Sequence, residues 1–353
     1  MNQIQKLAAL VLLVAFSACT KENFSTFSPT PTPASTALTK KSKQERVVVA
    51  NRASGDISVV DAATDMLIGT YALPDNGEPM YAVHVPQAKA VFVGDRANDR
   101  VVAFDEADFS VIGTVPCGAG VFHMWAAPNG SQLWVNNDID NTTTIINPAS
   151  MQVKGTAATP ADLVALGGKP HDVFLDPDKK FAYVSVLGVM GDHDYVVKYN
   201  MNKFEEVGRV AVGQDPHLFA DDINNKLYVP CQNTNNIYVI DRTTLAVENI
   251  LPFAGAHGLF MPNSGDYLYV ADIAGNRLGT FDIATEMALG MPLTTPFMTP
   301  HNLTINDAED KLFVSHSGAT ADQLTIYELG PEPIFSTALT IGANPFGILY
   351  YSY

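Results

Sequence analysis

The feature that most constrains this chain is a repeat. From Glu45 to the end of the 353 residues a pattern recurs seven times, at about 44 residues per copy, a period that belongs to propellers or solenoids. Its clearest marker is a short apolar run, seen as Val47-Val48-Val49-Ala50-Asn51, Val91-Phe92-Val93-Gly94-Asp95, Leu133-Trp134-Val135-Asn136-Asn137 and Leu268-Tyr269-Val270-Ala271-Asp272. A polar turn and a second run follow, ending in a turn-former such as Asp61, Asp105, Asp241 or Asp282. Several copies continue as Asp-x-x-Thr, where the carboxylate can cap its own turn by accepting from backbone N–H groups two residues on; these acids read as structural. A third run, such as Met66 to Tyr71 or Leu245 to Leu251, leads through a Gly/Pro segment to a fourth that begins near Pro-His. Runs apolar on both faces fit strands sandwiched between neighbouring sheets. Four short strands per copy, seven times over, predict an all-β, seven-bladed propeller.

The chain ends on a fourth-type run, Asn344 to Tyr351, and the repeat region begins on a first-type run. One blade must therefore combine residues 345–351 with residues 46–72, a clasp that removes the open sheet edge where the ring closes. One connection, Thr159-Pro160-Ala161-Asp162 to Leu166-Gly167, reads as a short helix with Thr159 as N-cap and Pro160 at its first position.

Composition agrees and excludes. With 47% hydrophobic and 16% charged residues the chain is globular, and 25 Gly with 22 Pro disfavour long helices. A net charge of −16, with no basic run beyond Lys40, Lys41 and Lys43, excludes nucleic acid as a partner, because phosphate binding needs a concentrated cationic footprint.

The first 44 residues are of another kind. Lys6 precedes a ten-residue apolar core, Leu7 to Phe16, about 15 Å of helix and too short to span a bilayer, so residues 1–18 read as a secretory signal. Phe16-Ser17-Ala18-Cys19 resembles a bacterial lipobox. The resemblance implies cleavage before Cys19, lipid on its sulfur, and a cell-envelope protein anchored at the outer membrane on its periplasmic or surface-exposed face. Residues 19–44, rich in Ser, Thr and Pro, read as a tether carrying the propeller of residues 45–353. The remaining cysteines, Cys117 and Cys231, fall on non-adjacent repeats and are expected to be unpaired.

The repeat itself, LYVxN, then VsVID, then Pro-His/Asn-Gly, resembles the YVTN-repeat propellers over essentially all of residues 45–353. That family implies the fold strongly and function weakly. GxSxG, HExxH, GxGxxG and P-loop motifs are absent.

Histidines carry what chemistry is visible. Aligning the seven Pro-x starts gives Met80, His123, His171, His217, His257, His301 and Phe346, so five of the eight histidines share one repeat position. In a propeller this is the entry of the innermost strand, and the five should ring one mouth of the central channel at steps of about 51°. The turn after the first-type run opens on the same face, adding Arg52, Arg96, Asp138, His193, Asp272 and His316. Each imidazole could bond a neighbouring blade's backbone, the mouth could bind an anionic or polar small molecule, or the ring could hold copper or zinc. A His-lined mouth is similar to the copper-binding propeller of nitrous oxide reductase, although that family has a fuller His set and a cupredoxin domain. Lactonase-like and streptogramin-lyase-like propellers place His and acidic residues at the same mouth, with Asp138, Asp192, Asp194 and Asp272 as candidate acids here. The residues rank a module binding a small molecule, metal or protein above a propeller enzyme.

Overall fold

A computed structural model describes residues 43–176, 180–221 and 223–353. The signal segment, Cys19 and the tether to Ser42 lie outside the described residues.

The repeats fold as seven antiparallel sheets of four strands, one per blade. Innermost strands are Pro345–Ser352 in blade 1, Pro79–Val85, Val121–Ala126 and Lys169–Leu175 in blades 2 to 4, and Phe219–Asp221, Ala256–Phe260 and Pro300–Ile305 in blades 5 to 7. Blade 6 departs in one respect: its outer edge is split into Met287–Ala288 and Leu293–Thr294, both paired with Arg277–Asp282.

The clasp forms as the chain ends require. In blade 1 the order is Pro345–Ser352, Glu45–Asn51, Asp56–Asp61, Met66–Ala72, with Val49 opposite Ile348 and Arg46 opposite Tyr351.

Apolar alternation explains the layering. Second strands are buried on both faces, as at Val47 to Ala50 and Val91 to Val93, because each face packs against a different blade. Outermost strands bury little, and Met66, Val111 and Ile334 stand in solvent. The recurrent Asp/Asn closes the outer turn: Asp61 Oδ1 accepts from the Ala63 and Thr64 amides, and Asp241 and Asp282 accept from Thr244 and Thr285. The residue four after it is held in the left-handed region, even where it is Phe109, Phe204 or Leu245. For that reason the outer strand of blade 5 starts at Val247 and not at Leu245.

A short helix forms at Ala161–Ala165, but Pro160 occupies its N-cap and no side chain caps it. The Thr159 amide instead donates to the Asn141 carbonyl, 3.0 Å away, which commits Thr159 to the sheet side of the connection. Cys117 and Cys231 are free thiols.

Candidate functional site

Pairing with the second strand fixes which residues occupy equivalent places around the channel. Pro79, Val121, Pro170, Ala256, Pro300 and Pro345 pair opposite Asp95, Asn137, Val186, Asp272, His316 and Asn51; after each comes a β-bulge of two residues. Pro216 holds the same place opposite Cys231 in blade 5, where pairing runs on to Phe219 opposite Tyr228 without a bulge. The first residue after each anchor is therefore Phe346, Met80, Phe122, His171, His217, His257 and His301. His123 lies one residue further on, in the second bulge position.

This corrects the expected ring of five histidines to four in consecutive blades, completed by two phenylalanines and a methionine. The side chains touch around the circle: Phe122–His171 centroids are 4.5 Å apart, His171–His217 4.7 Å, His217–His257 3.8 Å, His257–His301 4.4 Å and His301–Phe346 4.2 Å.

The second bulge position forms a layer of its own, occupied by Tyr81, His123, Asp172, Gly258, Asn302 and Gly347. Its polar members reach to the next blade. The Val173 amide donates to His123 Nδ1 at 3.1 Å, the Leu218 amide to Asp172 Oδ2 at 3.1 Å, and Asn302 Nδ2 to the Phe346 carbonyl at 3.1 Å. His123 thus has the packing role that repeat duplication favours. A Cβ at Gly258 would collide with the His301 carbonyl, so in blade 6 the backbone itself makes this approach.

Asp172 also faces two ring histidines. Its Oδ1 lies 3.2 Å from His171 Nδ1 and its Oδ2 3.4 Å from His217 Nδ1. Burial alone would raise the Asp172 carboxyl, but the surrounding imidazoles outweigh it and hold it well below the usual carboxylate range. Burial holds His123 down to about 4 and His301 down to about 3, and pushes His257 well below the ordinary imidazole range. His217 differs: burial lowers it, yet Asp172, joined by the Asp215 carboxylate 3.9 Å from Nε2, more than compensates and leaves it raised. Neighbouring groups pushed in opposite directions separate acid–base roles.

Unpartnered atoms point to a site. His171 Nδ1, Asp172 Oδ1, His217 Nε2 and His257 Nε2 are buried without a hydrogen-bond partner among the described residues, and such groups cost about 1–3 kcal/mol each unless something meets them. His257 Nδ1 lies 2.9 Å from Gln232 Oε1; an acceptor there assigns the proton to Nδ1 and leaves Nε2 a bare lone pair. His217, His257, Asp172, His123, Tyr81 and Asn302 help line a cavity of ≈ 80 Å³, room for about two or three waters.

The other expected mouth residues divide. Arg52 lies over the Phe346 ring and pairs with Glu78 at 2.6 Å, while Arg96 lies over Phe122 and pairs with Asp138 at 2.9 Å, so all three stand at the ring. Met80 is wholly buried within it. Asp272 and His316 close the second strands instead. Asp272 Oδ2 accepts from Arg277, and His316 contacts the Met298 carbonyl and Thr325. His193 and Asp192 are exposed on the 188–193 connection, and Asp194 accepts from the Val189 and Asp215 amides. Sequence reasoning passed over Asp172 and Gln232. The signal for Asp172 was an acid directly after Pro170-His171, where no other copy carries one; Gln232 had none.

A family model described as "Lactonase, 7-bladed beta-propeller" matches residues 13–250. Among solved structures, a Lactobacillus plantarum protein superposes at TM-score 0.71 with 16% identity, covering 87% of this chain and 99% of that one. The Pseudomonas aeruginosa periplasmic gluconolactonase does so at 0.69 with 16% identity and the same coverage. Kuenenia stuttgartiensis hydrazine synthase gives 0.70 with 14% identity, covering 81% and 92%. At these identities the likeness is one of fold. No curated protein matches the sequence at a significant level.

Proposed function

Because the chain belongs to the lactonase family of seven-bladed β-propellers, we propose that it is a lactone hydrolase whose general base is His217, positioned by Asp172. The observation carrying this reading is the buried Asp172–His217 pair, both residues lining one cavity, with His217 Nε2 lacking a hydrogen-bond partner among the described residues and 3.9 Å from Asp215 Oδ1. The separation of 3.4 Å is loose for a charge-assisted bond and within what catalytic pairs show before substrate binds. Neutral His217 takes a proton from water at Nε2 as the water oxygen adds to the lactone carbonyl. The imidazolium so formed is stabilised by the Asp172 carboxylate. Collapse of the adduct breaks the ring C–O bond, and His217 returns the proton to the departing alkoxide, giving the open hydroxy acid.

The family description, and a gluconolactonase among the similar folds, favour hydrolysis over the simple binding module that the residues alone rank first. The finer assignment to the YVTN-repeat subfamily, and the lipoprotein form with its anchor at Cys19, belong to the same proposal and rest on sequence motifs.

Turnover of a panel of five- and six-membered lactones, followed by acid release, tests the enzyme. His217→Gln should lower kcat/KM by about 10²-fold or more, the usual worth of a general base. A wild type inert on the whole panel would sink the reading.

A second reading has its own observation. One donor atom each from His171, Asp172 and His217 lies within 4.8 Å of the others, a set suited to zinc or copper. Dialysis of protein purified without a His-tag against each metal, followed by elemental analysis, tests it. Stoichiometric retention lost in Asp172→Asn would favour this reading, and an empty protein would exclude it.

A further inference from the structure

Three residues along the innermost strands from the His ring, or two in blade 5, the channel presents a second repeated position. Trp125, Phe174, Phe219 and Phe260 pair opposite Trp134, Tyr183, Tyr228 and Tyr269 in blades 3 to 6. They form a continuous aromatic arc, with centroids 4.9, 6.4 and 5.4 Å apart in order. Phe174 is buried, while the other three keep part of their surface in solvent. With Met261 and Asp221 they bound a cavity of ≈ 210 Å³, and Trp125, Phe219 and Phe260 also line the cavity that His217 and Asp172 border. One wall of aromatic rings therefore serves both spaces.

We propose that this arc is the seat of the ligand's ring, and that the ligand is a small uncharged lactone. The inference rests on the hydrolase reading for the word lactone, and on the bowl alone for size, polarity and charge. Size follows from the volume, equal to about seven liquid waters, which admits one five- or six-membered ring with short substituents. Flat aromatic faces favour the apolar face of such a ring. Charge follows from the lining: among the described residues no Lys or Arg borders the bowl. The one ionisable side chain among its described lining residues, Asp221, is occupied by the Ile223 and Asn224 amides and by Asn224 Nδ2, at 2.7, 3.2 and 2.7 Å. Among the described residues an anionic ligand would meet this carboxylate and no cation, in a chain of net charge −16, so phosphorylated or carboxylated lactones are disfavoured.

The sequence contains two tryptophans, of which Trp134 is wholly buried, so emission from Trp125 reports on the bowl. The probes are lactams, which keep ring and carbonyl and resist hydrolysis: 2-pyrrolidinone and δ-valerolactam, with pyroglutamate as the carboxylated counterpart. The full chain should show saturable quenching by both neutral lactams, absent in Trp125→Phe, with pyroglutamate at least tenfold weaker. Phe219→Ala, or Phe260→Leu should the first variant misfold, should weaken lactam binding by about tenfold. Quenching by no lactam, or equal affinity for pyroglutamate, overturns the proposal. Lactam binding by a protein that hydrolyses no lactone would leave the bowl standing and defeat the hydrolase. Lactone turnover with KM unchanged in the folded bowl variant would do the reverse.

Discussion

Asp172 Oδ2 accepts the Leu218 amide at 3.1 Å and lies 3.4 Å from His217 Nδ1, so one carboxylate both anchors blade 5 to blade 4 and places its charge against the histidine beside that amide. Replacing it should affect catalysis through pH before it affects stability. His217 is raised above the ordinary imidazole value near 6.5, and a base acts only when neutral. The ascending limb of kcat/KM should therefore lie above pH 6.5 in the wild type. Asp172→Asn removes the charge while keeping an acceptor for the Leu218 amide, so the limb should move to lower pH and the plateau fall about tenfold or more. An unmoved limb in a pH–rate series would separate Asp172 from His217 function.

Acid should weaken the fold through the neutral histidines. His301 and His123 are held down to about 3 and about 4 by burial, so between those values and about 6.5 the unfolded chain binds protons that the folded chain refuses. Their contribution is complete above pH 6.5 and declines on acidification through the folded values, by about 1.4 kcal/mol per pH unit for each histidine. His301→Phe places in the ring a residue that the same position already holds as Phe122 and Phe346, and should flatten that decline. Urea midpoints at pH 7.5, 6 and 5 for both proteins check it; parallel curves would count against the assignment.

Deleting residues 344–353 removes the strand paired along Glu45–Asn51 and takes Ile348, Leu349 and Tyr351 from the blade 1 interior. Each large apolar side chain contributes about 1.5–3 kcal/mol on burial, and together they rival the whole stability of a domain. Calorimetry should show aggregation or a broad, early transition, and an unchanged melting curve would mean that this strand is dispensable.

The envelope anchor is tested by fractionation. Cys19→Ser should move the protein from the membrane to the soluble fraction, since firm anchoring needs more than one acyl chain. Wild-type protein found soluble would end the lipoprotein proposal.

The repeat by itself determined the architecture. A period of about 44 residues with four apolar runs can bury its faces only by packing against copies of itself, and a chain that starts and stops out of phase must clasp, as Glu45–Asn51 and Pro345–Ser352 do. The turn acids were legible too, because an Asx turn is local: Asp241 needs only Thr244. What the sequence could not decide was register at the channel. Val121-Phe122-His123 aligns by residue type on its histidine, but hydrogen-bond pairing puts Val121 opposite Asn137 and makes Phe122 the ring residue, so His123 turns to the blade 4 backbone. A one-residue offset changes which face a side chain takes, and the bulge that sets it is a property of two paired strands. The Asp172–His217 contact likewise joins residues of adjacent blades, and Gln232 reaches His257 from the blade before it. Such pairs depend on how sheets stack around a common axis, a geometry that exists only once all seven blades have closed.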